Sequence, residues 1–334
     1  MRGAWRAAGR RRLRALMLAL VPPLLAACSP NPLLELETLA AREPQLRLSA
    51  VPFFAQTAHQ CGPAALAGVL GASGVATTPE SLSPQVYLPA RQGSLQLELQ
   101  AATRRAARLP YVLAPEPRAL LAELEAGRPV LVLQNLGTPR VPVWHYAVLT
   151  GFDAARNRLY LNSGRDEGTT MNAPAFLRSW DWAERWAMVA LKPGELPAGA
   201  EPTVYLEAAT DFERVATPAA AKQAWQAAAD AWPQQPLPHL ALGNLAYRDK
   251  ALARAAAHYR DGLTHNPANP ALANNLASVL GELGCARGAE ALLRPVTETL
   301  ADDSPWKAAI DATLKELGVQ SGADGLSCNA MQRR

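Results

Sequence analysis

Residues Val51–Gly71, VPFFAQTAHQCGPAALAGVLG, decide how the rest of the chain is read. An extended apolar lead, Val51 to Phe54, runs into a polar turn and then into Cys61-Gly62-Pro63 at the head of a small-residue amphipathic run. Pro63 suits a first helical turn, where its missing N–H is no loss. Ala64, Ala65, Leu66 and Ala67 favour helix, with Gly68 the weak point. The stretch therefore delivers a cysteine to a helix N-terminus. There the positive end of the macrodipole is expected to lower the thiol pKa and enrich the thiolate, the form that acts as a nucleophile. A buried structural cysteine is the plainer alternative, and the residues that could partner the thiol decide between the two.

At 334 residues the chain is longer than one domain of usual size, so two are expected. An apolar share of 49% with 19% charged residues describes a globular protein. The net charge of +4 does not point to nucleic acid. Six arginines and no acid fall within residues 1–27, leaving 27 basic against 29 acidic groups in the remainder. The basicity belongs to a targeting segment: an Arg-rich start, an apolar run from Ala15 to Ala27, and Leu25-Ala26-Ala27-Cys28. That run is short and carries Pro22 and Pro23, so a membrane span is not expected. The small residues before Cys28 resemble the lipobox of bacterial lipoproteins, which implies a signal peptide over 1–27 and acylation of Cys28. Ser29 in place of an aspartate favours the periplasmic face of the outer membrane. Residues 28–50 read as a tether with room for one short helix.

Downstream, Thr77 to Pro89 is turn-rich, and Gly93-Ser94 is placed to cap a helix running to about Arg108. Pro117 to Ala126 makes a further helix, stopped by Gly127 and Pro129. The period then changes to strand type at Val130–Leu133, Trp144–Phe152, Arg158–Asn162 and Trp186–Leu191. Helices followed by an antiparallel sheet is an α+β order, and the domain expected over 51–193 resembles the papain-like architecture in this layout. After Pro193-Gly194 the composition turns to alanine-rich helix. A 34-residue offset aligns Ala221, Ala255 and Ala289, then Trp225, Tyr259 and Leu293, then Pro233 and Pro267. This period resembles the tetratricopeptide repeat, giving an all-α repeat domain over 200–318 with a binding groove for a protein partner and a tail over 319–334. In an oxidising compartment Cys285 and Cys328 form a plausible disulfide.

A cysteine nucleophile needs a base, an orienting group and oxyanion donors. Of five histidines, His239, His258 and His265 lie in the repeats, and His59 is too close in sequence to Cys61 to face it. His145, at the start of a strand in Trp144-His145-Tyr146-Ala147-Val148, remains. CGPAAL with HYAV 84 residues later resembles the bacteriocin-processing, double-glycine-leader type of cysteine peptidase, and more closely the bacterial lipoproteins that join such a domain to tetratricopeptide repeats. The resemblance implies Cys61 as nucleophile, His145 as base and Gln56 as the oxyanion glutamine, here five rather than six residues before the cysteine; Gln60 is a substitute. Where the family carries an aspartate on the returning strand, this protein has Asn162, with Ser163 or Asp153 as alternatives. A peptide or protein substrate is implied, and no cofactor, metal or nucleic acid. Two other classes remain open: an inactive peptidase-like module that binds peptide as an adaptor, and a thiol amidase acting on cell-wall peptides.

Overall fold

The structure is a computed structural model that describes residues 36, 39, 43–56 and 60–319; Cys28, His59 and Cys328 fall outside these. An α+β domain built on one antiparallel sheet is followed by a run of helices. In sequence order the first domain comprises β1 (Gln45–Arg47), α1 (Cys61–Ala72), α2 (Pro79–Val86), β2 (Tyr87–Leu88), β3 (Gly93–Ser94), α3 (Gln96–Arg105), β4 (Leu109–Val112), α4 (Pro117–Glu125), β5 (Val130–Asn135), β6 (Trp144–Asp153), β7 (Arg158–Ser163), β8 (Asp166–Asn172), α5 (Ala173–Asp181) and β9 (Ala187–Leu191). The main sheet has the order β4-β9-β5-β6-β7-β8, with β1 added against β6.

Both faces of that sheet are covered, which is why its central strands are continuous apolar runs. Leu131, Leu133, Tyr146, Val148, Met188 and Ala190 face one way, into a core with Leu66 and Leu70 of α1, Leu82 of α2 and Leu99 of α3. Their neighbours Val130, Val132, Ala147, Leu149 and Val189 face the other way, against Leu120 and Leu124 of α4 and Phe176 and Trp180 of α5. Helix α1 is buried from Gly62 to Leu70, all round rather than on one face. Its small residues serve to bring it close: a Cβ on Gly62 would stand 2.3 Å from the Ser94 hydroxyl of β3.

Several elements differ from the sequence expectation. The turn-rich stretch after Thr77 holds α2, started by a Thr78 capping box with Pro79 in its first turn, despite Pro84 inside it. Gly93-Ser94 is strand rather than cap, and α3 begins at Gln96 without a side-chain cap. The sheet begins within the expected tether, because β1 pairs Leu46 with Phe152. Strands β4 and β8 carry too little apolar alternation of their own to be read in advance, and each is made by its neighbour, β9 and β7 respectively.

The helical run comprises α6 (Pro202–Glu213), α7 (Pro218–Ala231), α8 (Pro236–Arg248), α9 (Leu252–His265), α10 (Pro270–Glu282), α11 (Ala286–Thr299) and α12 (Pro305–Val319). Helices α6, α8 and α10 start 34 residues apart, each with proline in its first turn, and α7, α9 and α11 keep the same interval. The small positions permit close packing: a Cβ on Gly243 would lie 2.1 Å from the Tyr259 ring. Cys285 is buried and disulfide-bonded.

The two regions share a core. Tyr205, Phe212, Trp225, Leu242 and Leu245 of α6–α8 belong to the same buried cluster as Leu109, Tyr111, Val189 and Leu191 of the sheet. A separate cluster starts only at Ala246 and takes in α9–α12. The connection is pinned by polar groups as well. The fully buried Glu123 carboxylate accepts from Arg128 Nε at 2.5 Å and from the Ala198 N–H at 2.6 Å, and Tyr111 Oη accepts from the Glu201 N–H at 3.0 Å.

Candidate active site

Upstream of Val148 the outer edge of β6 has no β7 partner, because the β6–β7 register starts at Val148↔Asn162. The polar groups that Tyr146 presents there are taken by other residues. Its carbonyl accepts from Gln56 Nε2 at 3.3 Å, and its backbone N–H reaches the Cys61 sulfur. The Gln56 backbone N–H in turn donates to the Gly164 carbonyl at 2.8 Å, in the β7–β8 turn. The stretch from Gln56 to Cys61 is thus tied to the first residues of β6 and, through Gln56, to the β7–β8 turn, and an unpaired sheet edge becomes the floor of a site.

Cys61, Gln56 and His145 line a single cavity of about 710 Å³, together with Gly93–Gln96 and Pro142–Trp144. The cysteine opens α1 with no side-chain cap from Gln60, so the first-turn N–H groups remain directed at the sulfur region. Gln60 is placed beside the thiol by its position in sequence; its carbonyl accepts from the Ala64 N–H at 3.2 Å, and its side chain does not cap the helix. The Gln56 amide carries two N–H donors, and its bond to Tyr146 occupies one.

Burial pushes the Cys61 thiol above its ordinary value; backbone hydrogen bonds from Tyr146, Gly62 and Cys61 itself pull it down, but less. The expected lowering by the helix terminus is therefore overridden by desolvation. Burial also pushes the His145 imidazole below its ordinary value. Both effects disfavour the charged forms.

His145 Nε2 lies 2.8 Å from Ser163 Oγ, and among the described residues no hydrogen bond joins either ring nitrogen to Cys61. Asn162, expected to orient the imidazole, does something else. It is buried, and its Oδ1 accepts from the Gly168 N–H at 3.1 Å, where the β7–β8 register shifts between Leu161 and Ser163. The bulge leaves a backbone donor without a strand partner, and Asn162 satisfies it. Asp153 sits at the far end of β6, about 26 Å along the strand, and holds Arg156 at 2.8 Å. Ser163, the remaining alternative, is the residue on His145.

Ser94 escaped notice as a site residue. Its backbone carbonyl accepts from Tyr146 Oη at 3.4 Å, and its hydroxyl is buried beside Gly62 in the cavity wall without a hydrogen-bond partner. Only the close packing of β3 on α1, invisible in sequence, brings it there.

The sequence profile of the Peptidase_C39 like family matches residues 48–188. No curated protein matches the sequence. Among solved structures, a protein described as a C39-like peptidase from Bacillus anthracis aligns at 16% identity over 44% of this protein and 98% of its own length, with a TM-score of 0.38. A double glycine motif protease from an AMS/PCAT transporter, solved with its leader peptide, aligns at 22% identity over 43% of this protein and 93% of its own length, with a TM-score of 0.34. The stretch that forms the cavity, from before Gln56 to beyond Ser163, is similar to the Peptidase_C39 like family.

Proposed function

We propose that this protein is a cysteine peptidase whose nucleophile is Cys61 and whose general base is His145. The observation that carries the reading is the meeting of Gln56, Cys61 and His145, residues up to 89 positions apart, around one cavity at the start of β6. In the chemistry, the Cys61 sulfur attacks a peptide carbonyl as its proton passes to His145. The C–N bond breaks, the proton goes to the departing amine, and a thioester remains. Water then attacks the thioester, giving up a proton to His145, and the carboxylic acid leaves as the thiol reforms. The Cys61 N–H and the second Gln56 N–H are the oxyanion donors. Ser163 orients the imidazole by holding Nε2, which leaves Nδ1 for the thiol. Catalytic hydrogen bonds are often long in an unliganded site and tighten with substrate, which accommodates the open Cys61–His145 gap.

The wider setting belongs to the same proposal. Lipid on Cys28 would hold the protein at the periplasmic face of the outer membrane, and α6–α12, read as tetratricopeptide repeats, would recruit a protein partner. A second reading is favoured by one observation: among the described residues no hydrogen bond joins Cys61 to His145, which suits an adaptor that binds peptide without cleaving it. A thiol amidase acting on cell-wall peptides uses the same residues. Cys61 is the free cysteine among the described residues, so iodoacetamide labelling separates enzyme from adaptor. An enzyme gives one label per molecule at a rate that His145→Ala lowers by about 10²–10⁴-fold and Ser163→Ala lowers by less. A rate equal to that of a free thiol, unchanged in both variants, would sink the peptidase.

A further inference from the structure

Among the described residues eight large apolar side chains are exposed; two of them, Val143 and Trp144, line the cavity, Leu136 and Val141 belong to the same hairpin, and Leu97 follows the lining residue Gln96. Scattered exposed apolar residues need no explanation, whereas a cluster around a cleft does. Val143 and Trp144 line the cavity itself and are 53% and 55% exposed.

The segment that carries them is built rather than loose. Beyond the sheet, β5 and β6 continue as a hairpin: the Leu136 N–H donates to the Val143 carbonyl at 2.9 Å and the Thr138 N–H to the Val141 carbonyl at 3.0 Å. Asn135, buried at the root, clamps it. Its Oδ1 accepts from the Gly137 and Val143 N–H groups, each at 3.0 Å, and its Nδ2 donates to the Thr138 carbonyl at 3.2 Å. Gly137 is required by the closeness of the turn, since a Cβ there would stand 2.3 Å from the Val141 carbonyl oxygen. A rigid hairpin with satisfied polar groups that still displays apolar side chains to water gains nothing for folding from that display. It is preorganised to receive apolar surface from elsewhere.

The chemistry of the cleft says which part of a substrate that is. The general acid must reach the departing amine, so the part of the substrate that follows the broken bond leaves past His145, and Trp144 and Val143 are the residues beside it. We infer that the hairpin 136–143 with Trp144 forms the subsite for the leaving-group side of the substrate and selects large apolar residues just after the scissile bond. The inference rests on Cys61 and His145 acting as proposed.

Binding and cleavage are to be measured separately. With the full-length protein as Cys61→Ala, fluorescence anisotropy compares labelled peptides bearing Phe-Leu or Ser-Glu after a central Gly-Gly. The Phe-Leu peptide should bind at least about tenfold more tightly, and the triple variant Val141→Ser, Val143→Ser, Trp144→Ser should erase the difference while retaining the far-ultraviolet circular dichroism of the parent. Equal binding of the two peptides, or a preference that survives the triple variant, overturns the subsite. Digestion of a mixed peptide library with the cysteine intact then tests the nucleophile. Cleavage absent in Cys61→Ala, with apolar residues enriched after the cut, supports both. Cys61-dependent cleavage without that enrichment overturns the subsite alone. Apolar binding without any Cys61-dependent cleavage overturns the nucleophile and assigns the hairpin to an adaptor.

Discussion

The first three helices of the repeat run and the last four are alike in sequence and unlike in duty. Trp225 and Leu293 occupy the same place in the 34-residue period. Yet Trp225 is buried in the core that reaches the sheet, and Leu293 in a core confined to the later helices. The boundary that composition suggests, near Pro193-Gly194, is a boundary of secondary structure, and the boundary between cores falls inside α8. A repeat that reads as a modular appendage is in its first members a second layer of the sheet domain. Periodicity reports which residues are equivalent, and burial reports what each is joined to.

That contrast can be broken most forcefully by emptying the two equivalent positions. Trp225→Ala is expected to cost about 3–5 kcal/mol and to raise amide exchange in β4 and β9 as well as in the helices. Leu293→Ala, at about 2–5 kcal/mol, is expected to leave those strands protected. Equal effects on the strands from both variants would show one cooperative unit and remove the distinction.

The cleft sharpens the comparison between a core and a site. Burial raises the Cys61 pKa above the ordinary thiol value and lowers that of His145 below the ordinary imidazole value. For the thiol, burial favours the protonated form, so reactivity is withheld at neutral pH and appears as the pH climbs toward and past the raised value. Iodoacetamide labelling of Cys61 should therefore rise steadily through roughly pH 7 to 9. A plateau from about pH 5 upward would mean that an ion pair exists at rest. The smallest effect concerns the seam between the regions at its surface. Arg104 of α3 meets Asp211 of α6 at 2.8 Å, with Asp211 about half exposed, so Arg104→Ala should cost no more than about 1 kcal/mol in chemical denaturation.

What could be read in advance follows the range of the interactions. The repeat was legible because each unit restates the same local pattern, down to the helix starts. The central strands β5, β6 and β9 were legible because burial on both faces leaves unbroken apolar runs. Helix α2 was masked by its prolines, although Thr78 and Pro79 form a start signal. In the site, Cys61 and His145 stood out by chemistry and by elimination. Asn162 and Ser163 could not be told apart, because that choice depends on a one-residue bulge in β7–β8, and a bulge changes which neighbour faces the imidazole without any change of composition. Desolvation of the thiol was hidden for a similar reason. The helix terminus is visible in CGPAAL, whereas the strand whose Tyr146 backbone meets the sulfur comes from elsewhere in the sequence.

The core that runs from the sheet into α8 also governs how the protein can be cut. A fragment ending at Leu191 would contain every residue that lines the cavity, yet it would present Leu109, Tyr111, Val189 and Leu191 to water on a face made to be covered. During synthesis the same face has to wait about fifty residues for its lid, so the sheet half is the earlier to emerge and the later to be finished.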